Sequence, residues 1–198
     1  MTLLVLASAS AARARLLAQA GIEARIDPSV TDEAAIREES RARGRDAGEC
    51  ATLLAEAKAR AVARRHPGAL VLGADQMLEC EGRWFDKPAD LAEAAAQLRA
   101  LNGRRHTLVT AAAVIRDGAI LWRSLARPEL TMRRCSEGFL ERYLAAMGPR
   151  AVATLGGYEL EGLGIQLMAR VEGDYFAILG LPLLPLLDFL RGEGALAA

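Results

Sequence analysis

Residues 3–7 form a short apolar run that reads as a buried strand. Ser8-Ala9-Ser10 follows at once, and residues 11–20 then run without Gly or Pro, as a helix. A strand that turns straight into a helix calls for a sheet with helices packed on it. The serine of such a turn caps the helix. The turn also directs backbone N–H groups and the positive helix end outward, an arrangement suited to phosphate. Arg13 and Arg15 sit in the first two turns, where a cation opposes the helix dipole unless an external anion is held there. The competing reading is a capped helix with solvated arginines, and this segment alone leaves both open.

The rest of the chain continues the alternation. Gly21 is a natural helix stop, and residues 22–26 read as a second strand. Residues 34–48 are densely charged, a loop or a short exposed helix, and residues 49–65 form a helix ended by Pro67-Gly68. A strand over residues 69–72 leads into Gly73-Ala74-Asp75-Gln76, read as the strand end. Two short strands around Glu81-Gly82 follow. Asp90 with Glu93 makes a capping box for a helix to about Leu101. Residues 105–115 and 120–132 are long β-like segments joined by Asp117-Gly118, a strong hairpin signal. Ser136 caps a helix to about Ala146. Residues 154–165 are glycine-rich, residues 165–171 read as a strand, and residues 183–190 make a last helix. The fold class is α/β, a mixed twisted sheet with helices on both faces, in one domain or two lobes sharing a core.

With 52% apolar residues among 198, the chain can bury a sizeable core. Lys plus Arg equals Asp plus Glu, 25 each, so nothing in the whole-chain charge argues for nucleic acid or an anionic membrane. Cys50, Cys80 and Cys135 are scattered, with no CxxC pair, which fits a reducing compartment. The N-terminus lacks the pattern of a secretory signal, and the apolar run at residues 177–187 is broken by Gly180, Pro182 and Pro185. The expected location is cytoplasmic.

Several residues can carry chemistry. Asp75, placed after a buried strand, can hold a divalent metal or orient a water. Glu33 can complete a metal site with it or stand solvated. Only two lysines, Lys58 and Lys87, accompany the many arginines. Pro88 fixes an extended backbone at Lys87, which can serve as a point charge for phosphate. Gly156, Gly157, Gly162 and Gly164 would let backbone approach a base or phosphate closely. Glu161 among them can accept two N–H donors from guanine, where uracil or thymine offers one. His66 and His106 have no catalytic partner and read as structural. No P-loop, G-x-G-x-x-G or G-x-S-x-G motif occurs.

The segments LASASAARARLL (6–17), Asp32-Glu33, AEAKA (55–59), VLGADQML (71–78), DKPAD (86–90), LNGRRH (101–106), GGYELEGLGIQL (156–167), VEGDYF (171–176) and LGLPLLPLL (179–187) occur in one order over nearly the whole chain. Together they resemble the Maf proteins, nucleoside triphosphate pyrophosphatases of the inosine-triphosphatase-like α/β fold. The resemblance implies one Maf-like domain over residues 1–198, with two lobes around a central cleft. It implies hydrolysis of a nucleoside triphosphate to monophosphate and pyrophosphate with Mg²⁺, Mn²⁺ or Co²⁺. Ser8, Ser10, Arg13, Lys58 and Lys87 would hold the triphosphate. Asp75 and Glu33 would bind metal and position the water, with Lys58 and Lys87 counted beside Asp75 as catalytic.

The family's pyrimidine branch typically has Thr after the catalytic Asp and Gln in the glycine-rich segment. The branch acting on 7-methyl-GTP has Gln and Glu there, as Gln76 and Glu161 stand here. The S-P-[RW]-R loop of the family is altered to Ala11 and Ala12, and position 12 is a specificity position. The implied substrate is therefore a modified guanine nucleotide such as 7-methyl-GTP. The alternatives are dTTP, UTP or a broad range, and a non-enzymatic nucleotide-binding regulator of septum formation. The expected partner is the nucleotide, with no nucleic acid and no membrane, and a homodimer is admitted as an assembly.

Overall fold

The computed structural model describes residues 2–197. In chain order the first half forms β1 (Leu4–Leu6), α1 (Ala11–Gln19), β2 (Arg25–Ile26), α2 (Glu33–Ala42), α3 (Ala47–Ala63), β3 (Leu70–Cys80), β4 (Arg83–Phe85) and α4 (Leu91–Leu101). The second half forms β5 (Arg105–Arg116), β6 (Ala119–Ala126), β7 (Glu129–Met132), α5 (Glu137–Met147), α6 (Arg150–Ala153), β8 (Met168–Glu172), α7 (Tyr175–Ile178) and α8 (Leu183–Gly192). The chain divides into two compact units. The first comprises the chain up to Gln76, Thr110–Ala126 and the chain from Gly180; the second comprises Met77–Val109 and Arg127–Leu179. No helix among the described residues is long and apolar enough to cross a membrane.

In the first unit β1 lies parallel to both β2 and β3, with Leu4, Val5 and Leu6 opposite Leu70, Val71 and Leu72. β5 neighbours β3, and β6 pairs with β5 antiparallel through the Asp117-Gly118 hairpin. The sheet is thus mixed, as its alternating elements suggest. Val5, Val71 and Ile115 pack against Ala59, Val62 and Ala63 of α3. The intervening Leu6, Leu70 and Leu72 are buried as well, so both faces of these strands are covered. That is why the strands read as continuous apolar runs rather than alternating ones.

The second unit pairs β4 with the later half of β3, and β7 with both β5 and β8, all antiparallel. Leu98 and Leu101 of α4 and Leu140 and Met147 of α5 share its core with Leu78, Leu130 and Met132.

Several expectations are corrected. β3 does not end at Leu72 but runs on to Cys80, so Asp75 lies inside a strand rather than past its end. Gly73, read as the break, is there because α3 presses on the strand. A Cβ at Gly73 would stand 2.1 Å from the Ala55 carbonyl oxygen. For the charged stretch after Asp32 the exposed-helix alternative holds: it forms α2, which ends before a capping box at Asp46 and Glu49 that opens α3. At Asp90 the box is only half formed: its Oδ1 accepts from the Glu93 N–H, but Glu93 Oε2 accepts from the N–H of Ala89. β2 is cut to two residues, and the 120–132 segment is interrupted at Arg127-Pro128, since proline has no N–H for a ladder. β8 starts at Met168, after a 3₁₀ turn over Leu163–Leu167.

Candidate active site

The candidate site of the first unit is assembled from the ends of β1 and α1, the start of α2, the buried face of α3 and the middle of β3. Ser10 caps α1 as expected, its hydroxyl accepting from the Arg13 N–H at 3.4 Å. The Ser8 hydroxyl accepts from the Ser10 N–H at 3.2 Å and from Arg13 Nη1 at 3.1 Å. Arg13 Nε donates to the Gly180 carbonyl at 2.8 Å. Of the two arginines in this helix, Arg15 is solvated and Arg13 is buried. Burial lowers the Arg13 pKa, while the negative charges of Asp75 and Glu33 work against that lowering. Ala12 is partly exposed on the same turn.

The close approach at Gly73 brings α3 onto β3 and sets Lys58 against Asp75. Lys58 Nζ donates to Asp75 Oδ1 at 2.6 Å and lies 2.8 Å from Glu33 Oε1. Lys58 and Asp75 are both buried. Glu33 is the first residue of α2, held in place because Asp32 caps that helix at the Ala35 N–H. Burial pushes the Glu33 carboxyl up, but Lys58 and Arg37 outweigh it and its pKa settles below the ordinary value. Arg37, one turn along α2, reaches Glu33 Oε2 at 3.1 Å and stands 3.9 Å from Asp75 Oδ2. That Oδ2 is buried and makes no hydrogen bond. The side-chain amide of Gln76 donates to the Thr110 hydroxyl at 2.9 Å, tying β3 to β5.

Ser8, Ser10, Arg13, Glu33, Lys58 and Asp75 therefore come together in one unit. Lys87 and Glu161 belong to the other. Lys87 is exposed on the segment after β4, and Glu161 is exposed in the glycine-rich segment. Two of the glycines there, Gly156 and Gly164, are required by the packing of the chain itself. A Cβ at Gly156 would meet Leu78 at 2.8 Å, and one at Gly164 would meet the Glu159 carbonyl oxygen at 2.3 Å. Both histidines have hydrogen-bond partners within the fold. His66 Nε2 lies 2.7 Å from Asp27 Oδ2, and His106 Nε2 lies 2.7 Å from the Tyr158 hydroxyl. Arg37 was hidden in the charged stretch. Its spacing of four from Glu33 on a helix is the signal that exposes it.

No group of three or more His, Cys, Asp or Glu among the described residues could hold a metal. The site offers two carboxylates, and one of their oxygens, Asp75 Oδ2, is buried without a hydrogen bond. That set fits a hard cation such as Mg²⁺, which binds through one or two carboxylates and completes its shell with waters and substrate phosphates.

A family model for Maf-like proteins matches residues 3–193. The chain is 52% identical over 193 residues to a nucleoside triphosphate pyrophosphatase of Granulibacter bethesdensis, covering 98% of both chains. It is 52% identical over 192 residues to one of Paramagnetospirillum magneticum, covering 97% of this chain and 99% of that one. It is also 46% identical over 196 residues to a 7-methyl-GTP pyrophosphatase of Rhizobium meliloti, covering 99% of this chain and 98% of the other. With its ordered motifs, the buried Lys58–Asp75 pair and a match over nearly its full length, the chain belongs to the Maf family.

Proposed function

We propose that this protein is a metal-dependent nucleoside triphosphate pyrophosphatase that acts on a modified guanine nucleotide such as 7-methyl-GTP. The observation that carries the chemistry is the buried Lys58–Asp75 hydrogen bond, with Glu33 drawn onto the same ammonium. Lys58 holds Oδ1 and so fixes the orientation of the carboxylate. Oδ2 is left to orient a water and accept its proton as the water attacks the α-phosphorus in line. The α–β anhydride bond breaks and its electron pair leaves with pyrophosphate. Arg13 and Lys58 answer the growing negative charge, with Ser8 and Ser10 on the same turn as Arg13. Lys87 would add a further cation to the phosphates. Mg²⁺, Mn²⁺ or Co²⁺, held by Glu33 and Asp75, would neutralise phosphate charge and favour the leaving group.

The guanine preference rests on Glu161, whose carboxylate can accept the two N–H donors of that base and would favour a methylated, cationic one. The name of the Rhizobium meliloti relative supports this choice. Gln76 and Ala12 are the other two positions that this reading gives to substrate choice. A cytoplasmic setting suits an enzyme that acts on free nucleotides. The test is pyrophosphate release from a triphosphate panel with each metal. The expected result is turnover of 7-methyl-GTP above dTTP and UTP, abolished by Asp75→Asn. Unchanged turnover in Asp75→Asn would reject the assignment.

A further inference from the structure

The two carboxylates of the site divide their oxygens between two cations. Lys58 takes Glu33 Oε1 at 2.8 Å and Asp75 Oδ1 at 2.6 Å. The oxygens that Lys58 leaves, Glu33 Oε2 and Asp75 Oδ2, both face Arg37, at 3.1 and 3.9 Å. The two cations differ in freedom. The Lys58 side chain is 9% exposed and sits deep on α3, whereas that of Arg37 is 21% exposed and rides on the outer helix α2. Arg37 is thus the less deeply buried of the two cations, and the one that costs less to displace.

The local charge balance works against a metal ion entering alone. Arg13, Arg37 and Lys58 against Glu33 and Asp75 leave this group with a net positive charge. A divalent ion on Glu33 Oε2 and Asp75 Oδ2 would lie beside a guanidinium, and in a partly buried site that repulsion is weakly screened. A nucleoside triphosphate reverses the balance, because its phosphates attract both the metal and the displaced guanidinium. A carboxylate oxygen has two lone pairs, so Oδ2 can face a cation and still accept from a water.

We propose that Arg37 is a positioning residue that holds the place of the divalent cation and makes metal binding conditional on the triphosphate. This rests on Glu33 and Asp75 being the metal donors. Metal and nucleotide then promote each other's binding, and by linkage the coupling is the same in both directions. Arg37 keeps the carboxylates paired and oriented until substrate arrives.

The test is Mn²⁺ binding, followed by electron paramagnetic resonance and calorimetry, in the full-length protein. It is measured with and without a triphosphate analogue carrying a methylene between the α and β phosphates. Arg37→Met is expected to bind Mn²⁺ alone about tenfold more tightly than wild type. The gain in Mn²⁺ affinity on adding the analogue is expected to shrink by a similar factor. Arg37→Lys, which restores a cation, is expected to return both values toward wild type. Equal or weaker Mn²⁺ binding in Arg37→Met, with wild type still binding Mn²⁺ in the presence of the analogue, would overturn the role of Arg37 alone. No Mn²⁺ binding by any of the proteins even with the analogue would overturn the metal assignment and this role with it.

Discussion

Lys58 Nζ lies 2.6 Å from Asp75 Oδ1, and both side chains are buried where α3 crosses β3. A buried ion pair stabilises little relative to an apolar pair, but losing one partner strands the other charge. Lys58→Met is expected to lower stability by about 3 kcal/mol and to remove activity. Urea denaturation and a pyrophosphate-release assay on the same sample check both. Native stability with full activity would separate the pair from function.

Gly73 makes that pairing possible. A Cβ there would overlap the Ala55 carbonyl oxygen, which is backbone and cannot swing aside. Gly73→Ala is expected to cost about 3 kcal/mol by forcing α3 off β3. Activity should fall by more than the unfolded fraction accounts for, because Lys58 moves with α3. Thermal melts and kcat measured well below the transition distinguish the two effects.

His106 gives the second unit a pH dependence of defined sign. Burial lowers its imidazole pKa from 6.5 to about 4. The folded-state value is the lower one, so the unfolded chain takes up the proton first. Stability therefore falls as pH drops from about 6.5 to 4, by about 3 kcal/mol in full. His106→Gln is expected to be less stable at pH 7, because the hydrogen bond with Tyr158 changes, but to lose the slope in that window. Denaturation midpoints at half-unit pH steps check this.

The first unit responds lower on the scale. Hydrogen bonds from Arg65 and from His66 hold the Asp27 carboxyl at about 2, below its ordinary 3.8. A carboxylate with a depressed pKa stabilises the fold above its unfolded value and loses that contribution as pH falls through the folded one. Asp27→Asn is therefore expected to flatten the stability profile between about pH 4 and 2, leaving the His106 window unchanged.

Glu161 is the residue proposed to read the base. Glu161→Gln is expected to lower kcat/KM for 7-methyl-GTP by about tenfold or more while leaving a pyrimidine triphosphate within a few-fold, since one charge-assisted hydrogen bond is worth about 1.5–3 kcal/mol. Unchanged selectivity on the substrate panel would remove Glu161 from base reading.

Features set by neighbouring residues were legible in the sequence. The Ser10 cap, the Asp117-Gly118 hairpin and the Ser136 cap depend on a few adjacent positions, and each stands where its local chemistry requires. Features set by packing were not. Gly73 looked like a strand end because its cause, the α3 backbone, lies many residues earlier. Helix α2 was legible as one of two alternatives, but its many charges hide the contact that matters, Arg37 against Glu33 and Asp75. The His106–Tyr158 pair joins residues 52 positions apart, a distance no local pattern spans. The assembly of Ser8, Arg13, Glu33, Lys58 and Asp75 in one unit came from motif resemblance, since none of these residues alone exceeds its ordinary structural role.

In the proposed reaction water attacks the α-phosphorus and expels pyrophosphate. Turnover of 7-methyl-GTP in ¹⁸O-labelled water, with both products analysed by mass spectrometry, tests it most directly. The expected result is one ¹⁸O in the monophosphate and none in pyrophosphate, with no signal in Asp75→Asn. Label in pyrophosphate, or release of orthophosphate in place of pyrophosphate, would contradict it.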